Sequence, residues 1–221
     1  MFYGEIFLHF RFIVPTGYNF NMAKTKKHDH GDTYNLKYNL KYKICVSGSA
    51  ETEHCAEGAV EKAYEMGKLI AEHGIVLVTG ATTGIPYWAA KGAKEAGGIV
   101  IGFSPAASKI SHIKTYRLPI DYHDIIVYTG FDYAGRNLLL VRSADAVITV
   151  CGRMGTLNEF TIGFEDKKPQ GILLGTGGMS DMIPGIVEKA RRGPGKITTD
   201  ADPATLLEKV IALIQKEEKE I

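Results

Sequence analysis

The chain has 221 residues, 45% hydrophobic and 23% charged, with a net charge of +1. That length suits one domain with a tail, and the composition is that of an ordinary globular protein. The near-zero charge argues against general attraction to nucleic acid or an anionic membrane surface.

Ile6–Val14 is apolar, but it contains His9 and Arg11 and has no basic segment before it. It is too short for a membrane span and lacks the pattern of a signal peptide. A basic polar stretch, Ala23–Asp32, and a tandem Tyr-Asn-Leu-Lys repeat at Tyr34–Lys41 follow. Residues 1–40 therefore read as a disordered N-terminal extension, and 41–221 as the folded domain. His28, Asp29 and His30 read as part of a solvated tail rather than a metal site. The three cysteines, Cys45, Cys55 and Cys151, lack framework spacing, which points to reduced thiols and a cytoplasmic location.

Regular alternation begins at Lys43. Lys43–Ser47 is a short strand ending in Ser47-Gly48-Ser49, and Ala56–His73 carries apolar residues at helical spacing. Gly74 stops that helix before strand Ile75–Thr79. Helix Tyr87–Ala96 and strand Ile99–Phe103 come next, then an irregular stretch, Ser104–Tyr122, with Pro105 and Pro119. Ile125–Tyr128 is a strand, Arg136–Ser143 a helix, Ala146–Val150 a buried strand and Thr156–Glu165 a helix. Strand Gly171–Leu174 precedes two helices, Asp181–Arg191 and Pro203–Lys219, with Lys196–Thr198 between them. Short apolar strands alternating with amphipathic helices predict an α/β, Rossmann-like, doubly wound and mostly parallel sheet in a single domain.

In such sheets ligands bind beyond the carboxyl ends of the strands. Three strand ends carry small polar residues or glycines: Ser47–Ser49, Thr79–Gly84 and Cys151–Thr156. Glycine is abundant, 25 residues, and much of it lies at these ends. The strongest signal is Cys151-Gly152-Arg153-Met154-Gly155-Thr156-Leu157-Asn158-Glu159, where a strand passes through a tight loop into a helix. With Thr156 as cap, free N–H groups and the helix dipole would attract an anion, and Glu159 one turn on would face it. The same residues also fit a capping-box turn with no ligand. The other histidines, His54, His73, His112 and His123, show no metal-ligand spacing.

Cys151–Glu159 resembles the P-G-G-x-G-T-x-x-E signature of the LONELY GUY family, whose members were once misnamed lysine decarboxylases. Gly152, Gly155, Thr156 and Glu159 match it; Cys151 stands for the proline and Arg153 for the second glycine. Arg136 precedes Cys151 by the distance at which the family's active-site arginine precedes its proline. Arg142–Ala146 is similar to the family's R-x-S-D-A segment. Thr79–Gly84 sits where the family has G-G-G-x-x-G, with two glycines missing. The resemblance spans Lys43 to Gly178 and leans toward the branch related to DNA-processing protein A and the molybdenum-cofactor carriers.

The resemblance implies a nucleoside 5′-monophosphate phosphoribohydrolase that releases a base and ribose 5-phosphate. Glu159 would stabilise the oxocarbenium-like state or orient water, and Arg136 would position phosphate or ribose. Ser47, Gly48, Ser49, Gly80, Thr82, Thr83, Gly84, Asn137, Gly152, Arg153, Met154, Gly155 and Thr156 would bind the nucleotide and its phosphate. No metal or cofactor is called for. The alternative is a non-catalytic nucleotide sensor, or a carrier of a phosphorylated cofactor such as molybdopterin, favoured by Arg153 and the reduced glycine content of Thr79–Gly84. The resemblance also implies a homodimer, for which Trp88 and Tyr87, beside the Thr79–Gly84 loop, are candidate anchors.

Overall fold

A computed structural model describes residues 41–219. The expectations for residues 1–40, including His28, Asp29 and His30, fall outside them. Seven strands and seven helices follow in chain order: β1 (Lys43–Gly48), α1 (Ala59–Glu72), β2 (Val76–Thr79), α2 (Ile85–Glu95), β3 (Val100–Ser104), α3 (Lys109–Lys114), β4 (Ile125–Tyr128), α4 (Asp132–Ser143), β5 (Ala146–Val150), α5 (Met154–Glu165), β6 (Gln170–Leu173), α6 (Gly178–Ala190), β7 (Ile197–Asp200) and α7 (Pro203–Glu218). They form one sheet, ordered β4-β3-β2-β1-β5-β6-β7, in which every neighbouring pair is parallel. The doubly wound α/β expectation holds, and "mostly parallel" becomes wholly parallel.

The sheet is covered on both faces because its strands alternate between two apolar layers. Ile44, Val46, Ile148 and Val150 pack with residues of α1, α2 and α7. Cys45, Val78 and Val147 face the other way, onto Leu140 and Val141 of α4. Ile172 joins Phe160 of α5 and Ile183 of α6 on that second face. Such two-sided burial explains why the central strands read as continuous apolar runs.

Several boundaries differ from expectation. Ser104–Tyr122 is not wholly irregular: Ser108 accepts a hydrogen bond from the N–H of Ser111 and starts the short α3. Helix α4 begins four residues before Arg136, at Asp132, without a side-chain cap. Helix α5 starts at Met154, so Thr156 lies inside it and is not its cap. Lys196–Thr198 overlaps an edge strand, β7.

Helices α1 and α2 approach through glycine. A Cβ on Gly67 would lie 1.9 Å from the carbonyl oxygen of Ala89, and one on Gly92 would lie 2.0 Å from that of Tyr64. Backbone cannot yield as a side chain does. Gly67→Ala and Gly92→Ala are each expected to cost about 2 kcal/mol through overpacking, read from the midpoint of urea denaturation. An unchanged midpoint would show that the helices slide apart freely.

Candidate functional site

The chain builds β1 to β4 outward in one direction, then returns to lay β5 on the other side of β1. The connections leaving β1 and β5 therefore diverge and open a crevice at their carboxyl ends, where such sheets take ligands. A cleft of about 240 Å³ lies there, lined by Gly48, Ser49, Ala50, Glu51, Thr82, Tyr133, Arg136, Asn137, Arg153, Gly155, Thr156 and Glu159. A larger cavity, about 590 Å³, lies at the amino ends of the strands, and several of its charges are paired within it, as in Lys43–Asp145 at 2.9 Å and Lys196–Glu217.

Nine of the expected residues reach the cleft: Gly48, Ser49, Thr82, Arg136, Asn137, Arg153, Gly155, Thr156 and Glu159. The others do not line it. The Ser47 hydroxyl donates to the Glu159 carboxylate. Gly80 backs the Arg136 guanidinium, and a Cβ there would collide with it. The Thr83 hydroxyl donates to the Ala50 carbonyl at 2.9 Å, and Gly84 packs on the backbone of Ser49 and Ala50. Gly152, at φ +103°, makes room for the Thr156 side chain, while Met154 points to solvent.

Ala50, Glu51 and Tyr133 also line the cleft and were missed. Tyr133, Arg136 and Asn137 share one helix face by their i, i+3, i+4 spacing. Tyr133 would have been found had α4 been started at Asp132.

Two buried charges face each other across the site. Arg136 is 4% exposed and donates from Nη1 to the carbonyls of Gly80 and, at 3.0 Å, Phe103. Its Nε finds no partner among the described residues, nor does Oδ1 of Asn137, whose Nδ2 donates to Asn158 at 2.9 Å. Glu159 is 6% exposed. Burial pushes its carboxyl above the ordinary glutamate range, against the pull of the Arg136 charge and the Ser47 hydrogen bond. Glu159 sits in the second turn of α5, a turn further from the loop than expected.

The loop from β5 to α5 leads into a helix start open to solvent. Helix α5 has no side-chain cap, and Gly155 opens onto free space, so its first-turn N–H groups lack a capping partner among the described residues. Arg153 adds a cation, held by Glu51 at 2.5 Å and by His54 Nδ1, which accepts from its Nε at 3.3 Å. Cys151 lies at φ +52°. A proline, fixed near φ ≈ −65°, cannot adopt that conformation, so the loop departs in backbone as well as in side chain from the signature it resembles. The expectation of reduced thiols also needs correction. Cys55 and Cys151 form a disulfide, brought together by folding across a separation of 96 residues, and only Cys45 is free.

The model of the SLOG cluster4 family matches residues 41–207. The chain belongs to this family. An uncharacterised protein of Archaeoglobus fulgidus is 37% identical over 125 residues, which are 57% of this chain and 75% of that one. The molybdenum cofactor carrier protein of Chlamydomonas reinhardtii superposes with a TM-score of 0.64 at 29% identity, covering 80% of this chain and 99% of the other. DNA processing protein A of Streptococcus pneumoniae shares the fold, with a TM-score of 0.55 at 19% identity over 78% of this chain and 61% of its own. No described helix is long and apolar enough to cross a membrane.

The buried carboxyl predicts a pH effect. Its folded-state pKa is raised, so the native state holds the proton more tightly than the unfolded chain. The resulting stability is present at acid pH and is lost as pH rises from the ordinary glutamate range through the raised value. Glu159→Gln keeps an acceptor for Ser47 without a charge. Its melting temperature is expected to exceed wild type at neutral pH and to converge with it in acid. Parallel melting curves at every pH would remove the buried charge as the cause.

Proposed function

We propose that this protein binds a phosphorylated small molecule of nucleotide or pterin type in the β1–β5 crevice and carries or senses it without turning it over. The observation that carries this reading is the occupation of Arg136. Its Nη1 is spent on two backbone carbonyls, those of Gly80 and Phe103, so the group serves as a cationic wall rather than a mobile clamp. Arg153 and the uncapped start of α5 are the groups that meet the phosphate. The likeness to a molybdenum cofactor carrier protein supports the same class of ligand. A pocket near 240 Å³ falls below the range of roughly 300–1,000 Å³ that encloses whole ligands. It suits a phosphate and its attached ring, with the rest of the cargo outside.

The phosphoribohydrolase reading keeps one observation in its favour. Glu159, poised by burial beside Ser47, lines the same cleft as Arg136 and Thr156. Base release from a panel of nucleoside 5′-monophosphates, measured beside calorimetric binding, separates the two. We expect binding without free base, and Arg153→Ala to weaken that binding about tenfold, in keeping with the loss of a charged hydrogen bond. Base release abolished by Glu159→Gln would establish the hydrolase instead.

A homodimer also belongs to this reading, on a different surface from the one expected. Trp88 is half-buried on its own core, with the Lys91 ammonium 5.0 Å from its ring centroid. Exposed apolar side chains cluster instead on β4 and α4, among them Ile125, Val127, Leu138 and Leu139. Light scattering is expected to give a dimer that Leu139→Glu dissociates and Trp88→Ala leaves intact; a wild-type monomer would end the proposal.

A further inference from the structure

The disulfide joins the loop after β1 to the loop after β5, both of which contribute residues to the cleft, and nothing in the proposed ligand chemistry needs it. Its two ends differ in access. The Cys151 sulfur belongs to a fully buried residue, whereas Cys55 is half-buried in the loop between β1 and α1. An incoming thiolate therefore reaches Cys55 first.

The other sulfur has a proton donor beside it. His54 Nε2 is 3.6 Å from Cys151 Sγ. Its Nδ1 accepts from Arg153 Nε, and that bond assigns the imidazole proton to Nε2, facing the sulfur. A thiolate forming at Cys151 would thus meet an N–H and, beyond it, a guanidinium, surroundings that favour the anion.

Both cysteines are also held by backbone contacts that do not involve the S–S bond. Cys55 bridges to Gly177, and the N–H of the next residue, Ala56, donates to the Thr176 carbonyl at 3.0 Å. The Cys151 N–H donates to Thr176 Oγ1 at 2.8 Å, and its carbonyl accepts from the Ser180 N–H at 2.9 Å. One segment, Thr176–Ser180, thereby scaffolds both partners, so opening the bond leaves the two sulfurs as neighbours.

We propose that Cys55–Cys151 is a reversible redox site, reduced by a dithiol that attacks Cys55 and expels Cys151 as a thiolate toward His54. The attacking sulfur bonds to Cys55 Sγ, and the S–S electron pair passes to Cys151 Sγ. The reductant's second thiol then displaces Cys55, so the reductant leaves as its own disulfide. Two electrons and two protons have moved to the cysteine pair. Reduction places a thiolate beside His54, one of the two residues holding Arg153, and so reaches the cleft through a side chain that lines it. Because the site is read by thiol chemistry alone, its fate is separate from that of the proposed ligand.

The test uses the full chain after treatment with oxidised glutathione. Dithiothreitol is added without denaturant, samples are quenched with a maleimide over time, and peptides are weighed. Cys55 and Cys151 are expected to become labelled together. Cys45, whose thiol is pushed well up by burial, stays unlabelled as the internal control. With reduced glutathione, a monothiol, the trapped mixed disulfide should sit on Cys55. His54→Leu, at an exposed position, should slow opening about tenfold through the poorer leaving group while leaving the circular dichroism unchanged. Removing the reductant should restore the bond.

Labelling of both cysteines before any reductant, or opening only in denaturant, would overturn the proposal. So would glutathione on Cys151 or an unchanged rate in His54→Leu. The ligand atoms of His54, Cys55 and Cys151 all lie within 4.8 Å of one another. Stoichiometric zinc uptake by the reduced protein that blocks reoxidation would therefore also overturn it, by making the trio a metal site.

Discussion

A guanidinium without a full set of partners sits at the centre of this molecule, and the arrangement around it follows from what a buried charge requires. Removing such a group from water costs several kcal/mol, so its neighbours must return that energy as polar contacts. Arg136, on α4, draws on the carbonyls of Gly80 after β2 and Phe103 in β3. It also tempers the carboxyl of Glu159 on α5, which accepts from Ser47 at the end of β1. Three strand ends and two helices are thus tied to a single side chain. Gly80 is glycine because the guanidinium occupies the volume a Cβ would need. The free valences that remain, Nε of Arg136 and Oδ1 of Asn137, lie on residues that line the cleft.

Around that centre the loops have moved away from the signature they resemble. Cys151 and Ala81 both adopt positive φ, at +52° and +51°. The first is forbidden to proline, and the second is a conformation glycine holds at less cost. Arg153 fills the place of a glycine and is held by Glu51 and His54. These changes leave the start of α5 uncapped while adding a cation to the lining of the cleft. They leave the sheet beneath undisturbed, since Val150, one residue before the loop, is fully buried and paired with β1 and β6.

Much of the fold was legible because its strands are buried on both faces and its helices on one. Ala146–Val150 was read with both of its ends in place, and the stripe Leu206, Leu207, Val210 and Ile214 of α7 is buried as its periodicity required. Helix starts were harder. Neither Phe131 nor Arg153 is a capping residue type, so α4 and α5 begin without a local signal. That error hid Tyr133 and placed Glu159 a turn too early. The disulfide left no trace in spacing, because Cys55 and Cys151 meet only where two loops converge at the same end of the sheet. Glu51 was equally silent: its role depends on Arg153, far along the chain.

The Asp145 carboxylate accepts from both the backbone N–H and the ammonium of Lys43, fastening the start of β5 to the start of β1 across 102 positions of sequence. Strands β1 to β4 can assemble in the order in which they are synthesised, each beside its predecessor. The free flank of β1 has no such neighbour until β5 emerges, and so one side of the most central strand waits through more than a hundred residues of growing chain. Closing so long a loop is slow compared with local pairing. The pace of folding is therefore set by the arrival of the second half, and a nascent chain stalled before Asp145 presents an apolar strand edge to whatever surrounds it.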